Sequence, residues 1–214
     1  MLQAVSFPVA GRDVEGVLHL PESTAVGSVA VLHGYGGHPD QPHIIATCRA
    51  LAESGVAALR FAYRDHQPPR MTLDSGLADA VAALRLLKAH PQVPHDLGVV
   101  GFSFGGAVAA LAAGRDRSLR CAVLAAAPSA LQYQKDERPE REIARTRGRV
   151  LLIWGTRDAV VPLINADRFT ATLAQANVAH RLLTIEGADH DFSPAGPRVL
   201  MTKAVAGFVR DAFL

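Results

Sequence analysis

The sequence predicts an α/β fold: a mostly parallel sheet of eight strands with helices on both faces and no large cap. Three observations carry this expectation. Short apolar runs alternate with longer segments of helical periodicity along most of the chain, the pattern of repeated strand-helix-strand units. The two opening runs alternate apolar and polar residues across a turn cluster, as a hairpin does. The third, fifth, seventh and eighth strands each end in a cluster of glycine and polar residues, at the end of such sheets where ligands collect.

Taken in order, residues 3–9, 14–20 and 29–32 read as three opening strands, separated by Gly11-Arg12-Asp13 and by Pro21-Glu22-Ser23. A helix is expected over 41–54, a strand over 56–61 and a helix over 73–89. The second of these helices places Leu77, Val81, Leu84 and Leu87 on one face. Residues 97–100 form a buried strand, followed by a helix over 107–113 closed by Gly114. Residues 121–124, 150–153 and 181–185 continue the strands, with helices near 164–176 and 199–212. The run 135–149 mixes both charge signs and reads as a solvated helix. It leaves about twenty residues between Pro128 and the next strand, too few for a large cap.

The 214 residues suit one α/β domain spanning 1–214. Hydrophobic residues make up 49% of the chain, yet no run approaches the roughly 20 needed to span a bilayer. Residues 1–6 lack a basic stretch followed by a long apolar one, so no signal peptide is indicated and a cytoplasmic location is expected. A formal charge of +2 with both signs scattered supplies no basic block to track a phosphate backbone, so nucleic acid is not an expected partner. Cys48 and Cys121 are far apart, without metal-ligand spacing, and read as reduced core thiols. No metal or cofactor is expected, and composition leaves the oligomeric state open.

The stretch Gly101-Phe102-Ser103-Phe104-Gly105-Gly106 joins the strand at 97–100 directly to the following helix. A serine on so sharp a turn is strained, and glycines two residues to either side remove Cβ atoms that would collide there. The geometry exposes the hydroxyl at the strand's C-terminal end, beside backbone N–H groups and the positive end of a helix. A serine hydroxyl is a weak nucleophile at neutral pH and needs an imidazole to take its proton. The imidazole in turn needs a carboxylate to fix its tautomer. Trp154-Gly155-Thr156-Arg157-Asp158 follows the seventh strand and Gly187-Ala188-Asp189-His190-Asp191-Phe192 the eighth, so Ser103, Asp158 and His190 fall in that order, each after its own strand. Asp189 and Asp191 compete with Asp158, but stand too near His190 in sequence to turn back onto its Nδ1.

These motifs resemble the α/β-hydrolase fold superfamily, with Gly101 to Gly105 as nucleophile elbow, His33 to Gly37 as oxyanion loop, Gly155 to Asp158 as acid turn and Gly187 to His190 as base loop. Among its branches the chain is most similar to the small, lidless one of dienelactone hydrolase-like proteins and short-chain esterases. The resemblance implies a cofactor-free serine hydrolase acting on small carboxylic esters, or on thioesters, through an acyl-enzyme. It also implies an oxyanion hole formed by the backbone N–H groups of Tyr35 and Phe104. Dienelactone hydrolase itself typically carries cysteine where this chain has Ser103, so its lactone substrate is not carried over. A compact peptidase or amidase using the same three residues, and a non-catalytic binding protein of the same fold, are the alternatives.

Gly36, Leu131, Tyr133, Val160 and Phe192 are the expected lining of the substrate pocket, although ordinary packing accounts equally well for Leu131 and Tyr133. His33 reads as a structural histidine of its loop rather than a second base. Arg64-Asp65-His66, after the fourth strand, reads as a surface salt pair, with recognition of an anionic group as the alternative.

Overall fold

The computed structural model describes residues 1–65, 70–131 and 138–214. Strands β1 (Leu2–Val9) and β2 (Arg12–His19) form the expected hairpin. Ala10 (φ 47°) and Gly11 (φ 79°) both take positive φ, the two-residue turn whose twist matches the strands it joins. Then follow β3 (Gly27–Leu32), β4 (Val56–Phe61), β5 (Leu97–Phe102), β6 (Cys121–Ala125), β7 (Arg149–Gly155) and β8 (His180–Ile185). The eight strands form one sheet in the order β1-β2-β4-β3-β5-β6-β7-β8. Only the pairings of β2 with β1 and β4 are antiparallel. Every residue of β3, β4, β5 and β6 is buried, as strands covered on both faces require.

Helices cover the two faces of the sheet. On one lie α2 (Leu73–Ala89), α3 (Phe104–Arg115) and α5 (Ile164–Gln175), over a core containing Leu59, Tyr63, Trp154 and Phe169. On the other, α1 (Pro42–Glu53) packs beside α6 (Ala195–Phe213) over Val31, Val100, Phe102 and Phe192. In α2 the face marked by Leu77, Val81, Leu84 and Leu87 is the one that packs inward. A capping box between Thr72 and Ser75 starts that helix by satisfying its first free N–H groups. Cys48 and Cys121 are buried free thiols, and burial pushes each up to about 12.

Three element readings need correction. Helix α3 starts at Phe104 rather than 107 and runs through Gly114 to Arg115. Gly114 is a point of close approach, since a Cβ there would collide with the Glu142 carbonyl. Helix α6 begins at Ala195 rather than 199. Its first turn accommodates Pro197 because the leading N–H groups of a helix have no intrahelical acceptor to lose. The described part of the charged run 135–149 holds only a single-turn helix, α4 (Pro139–Glu142), and a 3-10 turn at Ile143–Arg145 before β7 begins. Buried Pro139 and Ile143 tie this segment down, and it forms no large cap.

Candidate active site

Ser103 lies between β5 and α3, at φ 52° and ψ −121°. A positive φ is unusual for any residue with a Cβ and persists only when its surroundings enforce it. They do so here. The Ser103 N–H donates to the Ala125 carbonyl (2.8 Å), and its own carbonyl accepts from the N–H groups of Gly106 (2.8 Å) and Ala107 (3.2 Å). A Cβ on Gly101 would collide with the Gly105 carbonyl, and one on Gly105 would stand 2.6 Å from the His33 carbonyl. Only glycine at both positions lets the strand, the turn and the loop after β3 approach this closely.

The hydroxyl projects toward His190, whose Nε2 is 2.9 Å from Oγ. The other ring nitrogen, Nδ1, is 2.9 Å from Asp158 Oδ2. A carboxylate can only accept, so Nδ1 carries the proton and Nε2 is left to accept from the serine. The Asp158 side chain is 1% exposed. Its second oxygen accepts from the N–H groups of Val160 (2.9 Å) and Val161 (2.8 Å), so both oxygens are engaged and the carboxylate is fixed in direction. Asp189 is turned elsewhere and accepts from the Ser193 N–H (2.7 Å), while Asp191 is exposed.

The loop after β3, residues 33–37, leans on this turn. His33 is fully buried, with Nδ1 2.8 Å from the Gly34 carbonyl, and its Nε2 accepts from the Tyr63 N–H (3.4 Å). Both ring nitrogens are thereby occupied in holding the loop. Gly36 (φ 63°) directs its N–H at the buried Met71 sulfur, 3.4 Å away. The Tyr35 ring is half exposed and tilts over Phe104, centroids 5.8 Å apart. Among the described residues neither the Tyr35 nor the Phe104 N–H has a hydrogen-bond acceptor. His43 in α1 sits against Phe102 (4.9 Å), and burial, opposed by Asp191, lowers it to about 4. It is neutral at neutral pH.

The expected pocket lining is only partly at the surface. Val160 is 67% exposed beside the acid turn, and Leu131 is half-buried against the core. Tyr133 lies outside the described residues. Phe192 corrects the expectation: a positive φ (51°) turns its ring inward, where it is fully buried 6.4 Å from Phe102 and anchors the base loop. The expected pair of Arg64 with Asp65 is present but long, Nε 3.8 Å from Oδ2, and Arg64 is mostly buried, at 13% exposure. Its backbone N–H donates to Asp79 Oδ2 (2.9 Å), and its Nε lies 3.1 Å from Oδ1 of that buried carboxylate. Asp65 pairs with Arg12, and His66 lies outside the described residues.

Sequence reasoning missed Asp79, Met71, and two supports of the acid turn. These supports are the Trp154 indole N–H on the Val161 carbonyl (3.0 Å) and Asn165, which accepts from Ser129 and donates to Pro162. No local pattern marks such pairs. Among the described residues no group of three His, Cys, Asp or Glu side chains is placed to hold a metal ion, and no helix is long and apolar enough to cross a membrane.

The sequence pattern of the dienelactone hydrolase family matches residues 14–211. Est1E from Butyrivibrio proteoclasticus superposes with a TM-score of 0.84 at 23% identity, covering 98% of both chains. A second structure of Est1E has ferulic acid bound. A dienelactone hydrolase from Anabaena variabilis gives 0.80 at 22% identity over 97% of this chain and 95% of that one. A puromycin-hydrolyzing peptidase from Mycobacterium tuberculosis gives 0.83 at 21% identity over 99% of this chain but 39% of the other. These likenesses establish the α/β-hydrolase fold. No curated protein matches.

Proposed function

Because the chain belongs to the dienelactone hydrolase family, we propose that it hydrolyses carboxylic esters of small substrates, with thioesters as the alternative, through an acyl-enzyme on Ser103. The observation that carries this reading is the continuous contact from Ser103 Oγ to His190 to buried Asp158, each step 2.9 Å, on a backbone held in a strained turn. In the first half-reaction Oγ attacks the substrate carbonyl as its proton passes to His190 Nε2. The resulting imidazolium is stabilised by the Asp158 carboxylate. The tetrahedral oxyanion is received by the Tyr35 and Phe104 N–H groups, aided by the N-terminus of α3. Collapse expels the alcohol, which takes the proton from Nε2, and leaves the acyl group on Oγ. Water repeats the sequence and releases the acid.

Substrate size follows from the lack of a large cap among the described residues. Each methylene withdrawn from water is worth about 0.8 kcal/mol, roughly fourfold in binding, but only where apolar surface covers it. The short α4 segment between β6 and β7 supplies no such roof. For p-nitrophenyl esters kcat/KM is therefore expected to peak at acyl groups of about two to six carbons and to fall or level beyond them. The test is a series through twelve carbons, with matched thioesters, amides and, given the ligand of Est1E, methyl ferulate. A continuous rise through ten or more carbons would refute the open-cleft account. Turnover confined to the amides would refute ester hydrolysis and favour the peptidase alternative.

A further inference from the structure

Resting on the reading of Asp158 as the acid of this site, we infer that Trp154 is a positioning residue whose indole N–H fixes the turn that aims Asp158 at His190. Trp154 is fully buried in β7 and its ring packs near Phe169, centroids 6.4 Å apart. Its Nε1–H donates to the Val161 carbonyl at 3.0 Å, and the bond is buried. The N–H of the same Val161 donates to Asp158 Oδ1 at 2.8 Å. A hydrogen-bonded path thus runs from the indole through Val161, Asp158 and His190 to the Ser103 hydroxyl.

The acid turn needs such a tie because residues 158–162 belong to no helix or strand, and no ladder of backbone bonds holds them. The bonds from Val160 and Val161 to the Asp158 carboxylate keep the turn's own shape. They cannot set its position against the sheet, since all those atoms move together. On either side of the turn the Thr156 and Arg157 N–H groups bond to the Ile185 (3.0 Å) and Ala188 (2.9 Å) carbonyls, and the Asn165 side chain donates to the Pro162 carbonyl (2.9 Å); between these ties the main chain adds a long contact from the Asp158 N–H to the Gly155 carbonyl, at 3.3 Å. Among the described residues the indole is the side chain of the sheet that bonds into this turn. Without it the Val161 carbonyl would be buried and unsatisfied, a state relieved most cheaply by movement toward water. That movement would carry the Val161 N–H, and with it Asp158, away from His190.

Trp154 is the single tryptophan of the chain, which permits an atom-level test. Growth on β-(3-benzothienyl)alanine replaces it with a ring of the same shape bearing sulfur where the N–H was. On a short p-nitrophenyl ester this protein and Trp154→Phe are expected to lose about tenfold or more in kcat with KM unchanged, since displacements well under 1 Å suffice for such losses. The downfield proton resonance of the bond between His190 and Asp158 should broaden or vanish in both. Phe169→Leu, which loosens the packing of the indole but keeps its hydrogen bond, should lower Tm while preserving kcat and the resonance. Wild-type kcat and resonance in the sulfur-bearing protein would overturn the inference, as would an equal loss in Phe169→Leu. Ser103→Ala is assayed in parallel. If it retains turnover, the acyl-enzyme reading falls and this inference with it; if it is inactive beside an unaffected sulfur-bearing protein, only the role of Trp154 falls.

Discussion

Asp158 and Asp79 are both aspartates with almost no exposed side chain, and both face a side chain able to carry positive charge, yet their surroundings differ in kind. Asp158 receives two backbone N–H groups on one oxygen and the His190 ring on the other, so its charge is met on every side. Asp79, in α2, receives one backbone N–H from Arg64, while the Arg64 Nε 3.1 Å from its other oxygen is not aligned as a hydrogen bond. Burial outweighs the attraction of Arg64 and lifts Asp79 to about 6. It also raises the neighbouring Tyr63 phenol well above its usual range, with Asp79 adding to the effect. Burial alone therefore does not distinguish these two carboxylates. The number and alignment of their donors do.

The largest effect that could break this comparison is on activity. Asp158→Asn should lose on the order of 10³- to 10⁴-fold in kcat/KM, because an amide presents a donor where His190 needs an acceptor. Asp189→Asn and Asp191→Asn should lose far less, and the reverse ranking in steady-state kinetics would overturn the assignment of the acid.

The next effect is on stability. Arg64→Met leaves the Asp79 carboxylate without its cation and should cost about 3 kcal/mol in urea unfolding at neutral pH. Its KM for a short ester should remain at the wild-type value; a marked rise in KM would mean that Arg64 recognises substrate after all.

The smallest effect is a slope. Since the folded pKa of Asp79 is raised to about 6 from 3.8, the folded state holds the proton more tightly than the unfolded one between these values. The contribution of Asp79 to stability thus falls as pH rises from about 4 to 6 and is level above that. Asp79→Asn should remove this component from the pH dependence of urea unfolding and leave kcat/KM near wild type. An unchanged slope would show that the carboxylate is better compensated than its surroundings imply.

Much of the site was legible because its parts announce themselves locally. The glycines flanking Ser103 are there for a steric reason that sequence spacing displays, and the collisions a Cβ would meet at Gly101 and Gly105 are of the kind the spacing implied. Asp158 and His190 follow strands recognisable as apolar runs, so their placement at one end of the sheet followed from topology. Contacts made by tertiary packing were not legible. Nothing near Arg64 points to Asp79 on another element, nothing near Trp154 points to Val161, and Ser129 meets Asn165 across 36 residues. Phe192 was misplaced for a related reason: an aromatic residue in a polar loop suggests a pocket wall, but its positive φ, which sequence does not reveal, turns the ring into the core.

The central claim is that Ser103 is the nucleophile, and intact-protein mass measurement after exposure to a fluorophosphonate probe tests it most directly. The account predicts one covalent adduct per chain, mapped to Ser103, and a folded Ser103→Ala protein that takes no label and keeps less than about a tenth of wild-type ester turnover, since loss of a nucleophile ordinarily costs several orders of magnitude. An adduct on another residue, or a Ser103→Ala protein still hydrolysing esters above that level, would contradict it.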